Sequence, residues 1–74
     1  MSNVPVLKPQ AVVRILANLG FVEVRQKGSH KQFRHEDGRA TTVPFHKGRD
    51  IALGLLRQIG SDINLIFEEL LEAR

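Results

Sequence analysis

The sequence predicts an α+β fold, in which three antiparallel strands form a sheet and helices pack on one of its faces. Apolar residues recur at helical spacing before Gly20 and again after Pro44. Between them lie segments rich in β-branched residues, separated by two hairpin signals, Lys27-Gly28 and Asp37-Gly38. The predicted order of elements is therefore α-β-β-β-α, followed by a further helix at the carboxyl end.

The first helix is predicted over about residues 9–19. Pro9 suits its first turn, because the N–H that proline lacks would have no helical partner there. Gly20 ends the helix, since a residue without Cβ enters a left-handed cap at little steric cost. Residues 1–7 show no periodicity and are predicted to form a loose arm. The apolar positions at helical spacing are Val12, Val13, Ile15, Leu16 and Leu19.

Three strands are predicted to follow as a meander, over Phe21–Gln26, Ser29–His35 and Arg39–Val43. Pro44 cannot donate to a strand ladder, so the third strand ends there or lies at an edge of the sheet. In the second strand Phe33 is the apolar residue, and its face is expected to be the one that the helices cover. Alternation then leaves the other face, open to water or a ligand, with His30, Gln32 and Arg34.

Two helices are predicted after the sheet. Asp50 is the expected N-cap of a helix over Ile51–Ile59, and Gly60-Ser61 is expected to interrupt it. Ser61 would then cap a last helix within residues 61–74. The apolar face of that last segment comprises Ile63, Ile66, Phe67, Leu70 and Leu71.

Composition limits the classes of function. The 74 residues are expected to form one small domain, and the absence of Cys excludes disulfides and fits a reducing, cytoplasmic compartment. No apolar run is long enough for a membrane span, so we expect no membrane partner. The net charge of +3 is unevenly distributed. Residues 25–49 hold seven Lys or Arg, two acidic residues and all three His, whereas residues 50–74 hold two basic and five acidic residues. This segregation predicts a basic working surface and an acidic tail.

The sequence lacks the residues that most enzyme reactions require. The three His lie 5 and 11 residues apart without Cys, which matches no zinc pattern, and no Gly-rich phosphate loop occurs. Ser29 and His30 do not form a hydrolase pair, because adjacent residues of a strand point to opposite faces. No metal site is therefore predicted.

RNA cleavage requires fewer catalytic groups from the protein, because the 2′-OH of the RNA is itself the nucleophile. The protein must supply a proton acceptor, a proton donor and cations for the developing charge. Histidine suits proton transfer near neutral pH, and Arg and Lys suit the charge. On these residues alone, a binding hairpin and a nuclease remain equally open. One predicted hairpin carries the whole set, namely Arg25, Lys27, His30, Lys31 and Arg34.

Several motifs together resemble the HicA toxins. They are Gly20-Phe21, the run from Arg25 to His30 with its Gly-Ser-His motif, the run from Phe33 to Arg39, Val43-Pro44-Phe45-His46 and the run from Gly54 to Gly60. HicA proteins are small mRNA interferases of type II toxin–antitoxin systems, with a fold similar to double-stranded-RNA-binding domains. The resemblance covers roughly residues 12–60, so residues 61–74 extend beyond it.

The resemblance implies a site and a partner. The catalytic histidine of the family falls on His30, and His46 matches the Pro-x-His position as a possible second catalytic group. Family members need no metal or organic cofactor, and a HicB antitoxin covers the toxin and blocks its site.

The remaining residues of the basic hairpin have expected roles of their own. Gly28 is expected to be a structural turn residue, and His35 a hairpin residue without chemistry. The residues expected to contact RNA are Arg25, Lys27, Ser29, Lys31 and Arg34.

Two other functions stay open at this point. The first is a non-catalytic RNA-binding module of double-stranded-RNA-binding type, which would use shape and phosphate contacts. The second is a DNA-binding helix-turn-helix in residues 51–70. The second is disfavoured, because that segment carries net acid and would repel the phosphates of a DNA groove.

Overall fold

The computed structural model describes residues 6–46 and 48–74, which form an α+β fold as predicted. The elements in chain order are β1 (Val6–Leu7), α1 (Pro9–Asn18), β2 (Val22–Lys27), β3 (His30–Arg34), β4 (Ala40–Pro44), β5 (Ile51–Ala52), α2 (Leu53–Asp62) and α3 (Phe67–Glu72).

The central sheet has the order β2-β3-β4, with both neighbouring pairs antiparallel. The predicted meander is therefore confirmed. In the described part of the chain β4 lies at one edge, which explains how Pro44 is accommodated as its last residue. The arrangement is compatible with a double-stranded-RNA-binding-domain-like fold.

Helices cover one face of this sheet, and the core lies between them. In β3 and β4 the covered face carries Phe33, Thr41 and Val43, all of which are buried. Thr41 is the buried polar residue among them, and its hydroxyl donates a 2.9 Å hydrogen bond to Asp62 Oδ2 at the end of α2. The remaining core side chains are Val12, Ile15, Leu16, Phe21, Ile51, Leu56, Ile59, Ile63 and Leu70.

The predicted loose arm is partly ordered. Val6–Leu7 forms β1 and pairs antiparallel with β5, Val6 opposite Ala52 and Leu7 opposite Ile51. Residues 1–5 of the predicted arm lie outside the described residues. A two-residue strand has no periodicity of its own, and its partner is far away in sequence, so the local pattern could not reveal it.

The second helix is shifted relative to its prediction. Ile51 belongs to β5, and Ala52 is the N-cap residue of α2, so Asp50 does not cap the helix. The Asp50 carboxylate instead lies 3.7 Å from Lys8 Nζ. The helix then continues through the expected break at Gly60 and ends at Asp62.

Close packing explains why α2 continues through Gly60. A Cβ added at Gly60 would lie 2.5 Å from the carbonyl oxygen of Leu65, so only glycine lets the chain return this closely. The turn that follows contains Asn64 at a φ of 63°. The last helix therefore begins at Phe67 rather than near Ser61, and the Ile66 N–H donates to Glu69 Oε1 at 2.9 Å.

Candidate active site

The turn between β2 and β3 places the first histidine. Gly28 occupies the first central position with a φ of 60°, and Ser29, which does not have positive φ, occupies the second. This is the arrangement of a type II′ hairpin, in which the first central position favours glycine. Lys27 and His30 are the paired residues that flank the turn, so His30 opens β3.

The strand register brings three of the predicted basic residues, Arg25, Lys27 and Arg34, to one face. Residues directly opposite each other in neighbouring strands share a face. Lys27 is opposite His30, and Arg25 is opposite Gln32. Alternation along β3 puts Arg34 on the same side as His30. We call this uncovered side the open face, and it carries Arg25, Lys27, His30, Gln32 and Arg34.

A β-bulge in β2 creates this arrangement. The register shifts between Glu23 and Arg25, so that Val24 is the extra residue. Under regular alternation Arg25 and Lys27 would share the covered side with Glu23. The extra residue reverses the alternation and transfers both cations to the open face. No local sequence pattern predicts the bulge.

The open face is accessible, and its cations are not neutralised. All six residues of β2 are exposed, as are His30 and Arg34 in β3. In the described part of the chain, Arg25, Lys27 and Arg34 form no ion pair with a carboxylate. Their charges are therefore available to an anionic ligand.

A second histidine meets this face at the hairpin tip. His46 lies two residues beyond β4, and its ring centroid is 6.3 Å from that of His30, with the rings nearly perpendicular at 81°. The His46 Nε2 is 3.2 Å from the Ser29 hydroxyl oxygen. The Phe45 N–H donates to the Ser29 carbonyl, which extends the β3–β4 pairing toward His46. The sequence did not predict the contact between Ser29 and His46.

Lys31 is the predicted RNA contact that the structure separates from the others. Its side chain points to the covered side, where its ammonium lies 3.7 Å from Glu23 Oε1 and 4.3 Å from the centre of the Phe45 ring. Cation and carboxylate are thus already paired on that side of the sheet.

His35, the third histidine, lies away from the other two. Its ring packs against Phe21, with centroids 5.1 Å apart, and the Asp37 N–H donates to its Nδ1 at 3.1 Å. A Cβ at Gly20 would approach the His35 ring to 3.1 Å. These contacts give the His35 ring a packing role in the hairpin.

Arg39 holds the same end of the sheet to the helices. Its Nε donates to Asp37 Oδ2 at 2.8 Å, and its Nη1 donates to the Ile63 carbonyl at 2.7 Å. The pKa of the Asp37 carboxyl is lowered, chiefly because the Arg39 backbone N–H donates to it at 3.0 Å, with the guanidinium adding to the effect. We call Phe21, His35, Asp37, Arg39 and Ile63 the anchored corner.

Within residues 6–46 and 48–74, no group of three or more His, Asp or Glu is placed to hold a metal ion. Over the same residues, no helix is long and apolar enough to cross a membrane.

Comparison with known families identifies the chain. The family model described as the HicA toxin of bacterial toxin–antitoxin matches residues 10–65, well over half of the sequence. This chain belongs to the HicA toxin family. A comparison with curated proteins gave no match. The matched range includes the open face, His46 and α2, and it ends before α3.

Membership in the family makes the chain the toxin of a toxin–antitoxin system and implies an antitoxin partner. The HicA motifs lie at both ends of β3. The Gly-Ser-His motif forms the hairpin tip beside His46, whereas Asp37-Gly38-Arg39 lies in the anchored corner.

Proposed function

We propose that this HicA chain is an endoribonuclease that cleaves mRNA and other RNA by metal-independent transesterification, with His30 as a general acid or base. One observation carries the proposal. His30 is exposed on a face whose Arg and Lys have no carboxylate partner among the described residues, and a second histidine ring lies 6.3 Å away.

The reaction needs only proton transfer and charge stabilisation from the protein. The 2′-oxygen bonds to the adjacent phosphorus and gives up its proton, while the bond from phosphorus to the 5′-oxygen breaks and that oxygen gains a proton. The products are a 2′,3′-cyclic phosphate, which can open to a 3′-phosphate, and a 5′-hydroxyl. His30 performs one of the two proton transfers, and His46 is the candidate for the other.

RNA binding is assigned to the open face. Arg25, Lys27 and Arg34 lie on the same side as His30, so that they can contact the backbone phosphates that flank the scissile bond. Ser29 lies at the tip of the same hairpin. Lys31 is left out of this surface, because its ammonium lies between Glu23 and Phe45 on the covered side.

The antitoxin partner is proposed to be HicB-like and to cover this same face. A protein that neutralises the cations of β2 and β3 would exclude RNA by direct competition. Adding increasing amounts of an acidic HicB-like antitoxin should therefore reduce RNA cleavage and RNA binding in parallel. Full cleavage at a saturating concentration of a tightly bound antitoxin would contradict competition at this face.

A cleavage assay tests the central assignment. Wild type, His30→Ala and Gln32→Ala are each incubated with a long single-stranded RNA in EDTA, and the products are separated on a denaturing gel. Gln32 is the matched control, because it lies on the same strand and face as His30 but cannot transfer protons. We expect wild type and Gln32→Ala to cleave, and His30→Ala to lose about 10²–10⁴ in rate.

Two results would contradict the proposal. If His30→Ala folds normally and cleaves like wild type, His30 is not the acid–base group. If all three proteins shift RNA on a native gel and none cleaves it, the open face is a non-catalytic binding surface of double-stranded-RNA-binding type.

A further inference from the structure

His46 lies in a part of the chain that no strand or helix holds. It follows β4 and precedes β5, so sheet hydrogen bonds do not fix it. Its neighbours supply the anchorage instead. The Phe45 N–H donates to the Ser29 carbonyl, and the Arg49 N–H donates to the His46 carbonyl at 3.1 Å. Hydrogen bonds therefore flank the backbone of His46 on both sides, while its ring is exposed.

Among the described residues, one side-chain hydrogen bond orients that ring. The His46 Nε2 lies 3.2 Å from Ser29 Oγ, in an exposed contact at the hairpin tip. A serine hydroxyl both donates and accepts. It can donate to an unprotonated Nε2, or accept from Nε2 when that nitrogen carries a proton. The contact therefore persists whether or not the imidazole is protonated. A carboxylate partner would instead favour the protonated, cationic imidazole.

Because Nε2 faces Ser29, Nδ1 is the nitrogen of His46 that remains for a ligand. His30 differs from His46 in this respect. Within residues 6–46 and 48–74 its ring makes no hydrogen bond to the protein, and its orientation comes from its place at the start of β3.

We propose that Ser29 is a positioning residue for His46, and that His46, through Nδ1, is the second acid–base group of the reaction. This inference rests on the proposed function. One of the two imidazoles accepts the proton of the 2′-OH, and the other, as imidazolium, donates a proton to the departing 5′-oxygen. After this step the protonation states of the two rings are exchanged, and proton exchange with water restores the original states. Ser29 holds Nε2 through both states, so that Nδ1 faces the same phosphodiester as His30.

The orientation of His46 is tested without any RNA. Ring ¹⁵N chemical shifts from NMR give the tautomer populations of each histidine in wild type, Ser29→Ala and Ser61→Ala. Ser61 is an exposed serine of α2 and serves as the matched control. We expect the tautomer ratio of His46 to change in Ser29→Ala alone, with His35 unaffected. An unchanged His46 in Ser29→Ala would overturn the positioning role.

Steady-state kinetics tests the consequence for cleavage. Ser29→Ala should lower kcat by up to about tenfold with little change in KM, the loss expected for one hydrogen bond. It should also alter the pH dependence of kcat, and Ser29→Thr should restore both. His46→Gln should lower kcat by about 10²–10⁴ and remove one limb of the bell-shaped profile. A rise in KM at constant kcat would instead make Ser29 an RNA-binding residue.

Stability and activity controls keep the outcomes distinct. Thermal unfolding is measured for each variant, and Ser29→Gly supplies a second variant without the hydroxyl in case alanine disturbs the turn. A wild type that binds RNA without cutting it contradicts the proposed function itself. A wild type that cuts, beside Ser29→Ala and His46→Gln variants that cut equally well, contradicts this inference alone.

Discussion

The two ends of β3 contain similar residues and use them differently. Each end has a histidine and nearby basic side chains. At the end that begins with His30, Arg25 and Lys27 have no carboxylate partner among the described residues. At the end that leads to His35, Arg39 is bound to Asp37 and to the Ile63 carbonyl. Residue type alone therefore does not distinguish the two ends of β3, whereas the partners of the side chains do.

The covering helices explain the difference. All six residues of β2 are exposed. The anchored corner lies under the turn between α2 and α3, where the Ile63 carbonyl provides an acceptor for Arg39. Arg39 thus reaches a backbone carbonyl of that turn, whereas Arg25 and Arg34 are exposed and have no carboxylate partner among the described residues. Five predictions test this difference between residues that already have partners and residues that do not, from the largest expected effect to the smallest.

Substitution of His30 should affect RNA cleavage and not stability, whereas substitution of His35 should affect stability and not cleavage. His30→Ala should lower cleavage by about 10²–10⁴ while the unfolding transition stays unchanged. His35→Ala should retain cleavage at a temperature where it is folded, but lose about 1 kcal/mol of stability with its packing on Phe21. RNA cleavage and urea unfolding measure the two effects. A stable His35→Ala protein without cleavage would remove the distinction between the ends.

Two glycines of α2 should change stability with opposite signs. Gly54→Ala should stabilise the protein by about 0.5–1 kcal/mol, because nothing lies within 4 Å of the added Cβ and alanine is the better helix former. Gly60→Ala should destabilise it by about 2 kcal/mol, because the Cβ would meet the Leu65 carbonyl at 2.5 Å. Urea unfolding checks both. Equal stabilisation by the two changes would mean that the turn supporting the anchored corner is not tightly packed.

Two arginines separate stability from binding. Arg39→Gln should cost about 1–2 kcal/mol, because it breaks charged hydrogen bonds to Asp37 and Ile63 in a partly exposed position. Arg34→Gln should leave unfolding unchanged and weaken RNA binding. Urea unfolding and fluorescence anisotropy with labelled RNA provide the measurements. The reverse pattern would place the ligand surface at the anchored corner.

Two lysines of the same hairpin test which face meets RNA. Lys27→Gln should reduce by about one the number of counterions released on binding, read from the slope of log K against log salt. Lys31→Gln should leave that slope nearly unchanged, because Lys31 lies on the covered side beside Glu23. Anisotropy titrations at several salt concentrations distinguish them. An equal loss of slope for both lysines would contradict the assignment of the open face.

The smallest expected effect is the pH dependence of the anchored corner. The pKa of Asp37 in the folded protein lies below its ordinary value of 3.8, first because the Arg39 backbone N–H donates to the carboxylate. Its contribution to stability is therefore complete above 3.8 and disappears as the pH falls through the lowered pKa. Asp37→Asn should lose less stability than wild type between neutral pH and pH values below 3.8. Thermal unfolding at a series of pH values checks this, with parallel acid curves as the contrary result.

Local sequence signals predicted much of the sheet. The glycines at Gly28 and Gly38 have positive φ, as hairpin turns require, and the three strands lie within a residue or so of their predicted bounds. The burial of Phe33 and the exposure of His30 also followed from simple alternation. These features depend on residues close together in the chain, and therefore leave a readable pattern.

Features that depend on distant partners escaped prediction. The pairing of β1 with β5, the continuation of α2 through Gly60 and the contact between Ser29 and His46 each join segments separated in sequence. The bulge at Val24 is local, but no residue type requires it. Packing overrode the low helix propensity of Gly60, since its missing side chain is what admits the Leu65 carbonyl.

By itself the sequence determined the fold class, the hairpins and the group of basic and histidine residues from which a site could be formed. Only the tertiary structure decided which of those residues lie together at the open face and which contact other parts of the chain. It brought Arg25 and Lys27 to the side of His30, placed His46 against Ser29, and bound His35, Arg39 and Lys31 to other partners. The physical reason is that charge and chemistry belong to a residue, whereas the availability of that residue depends on what the rest of the chain places beside it.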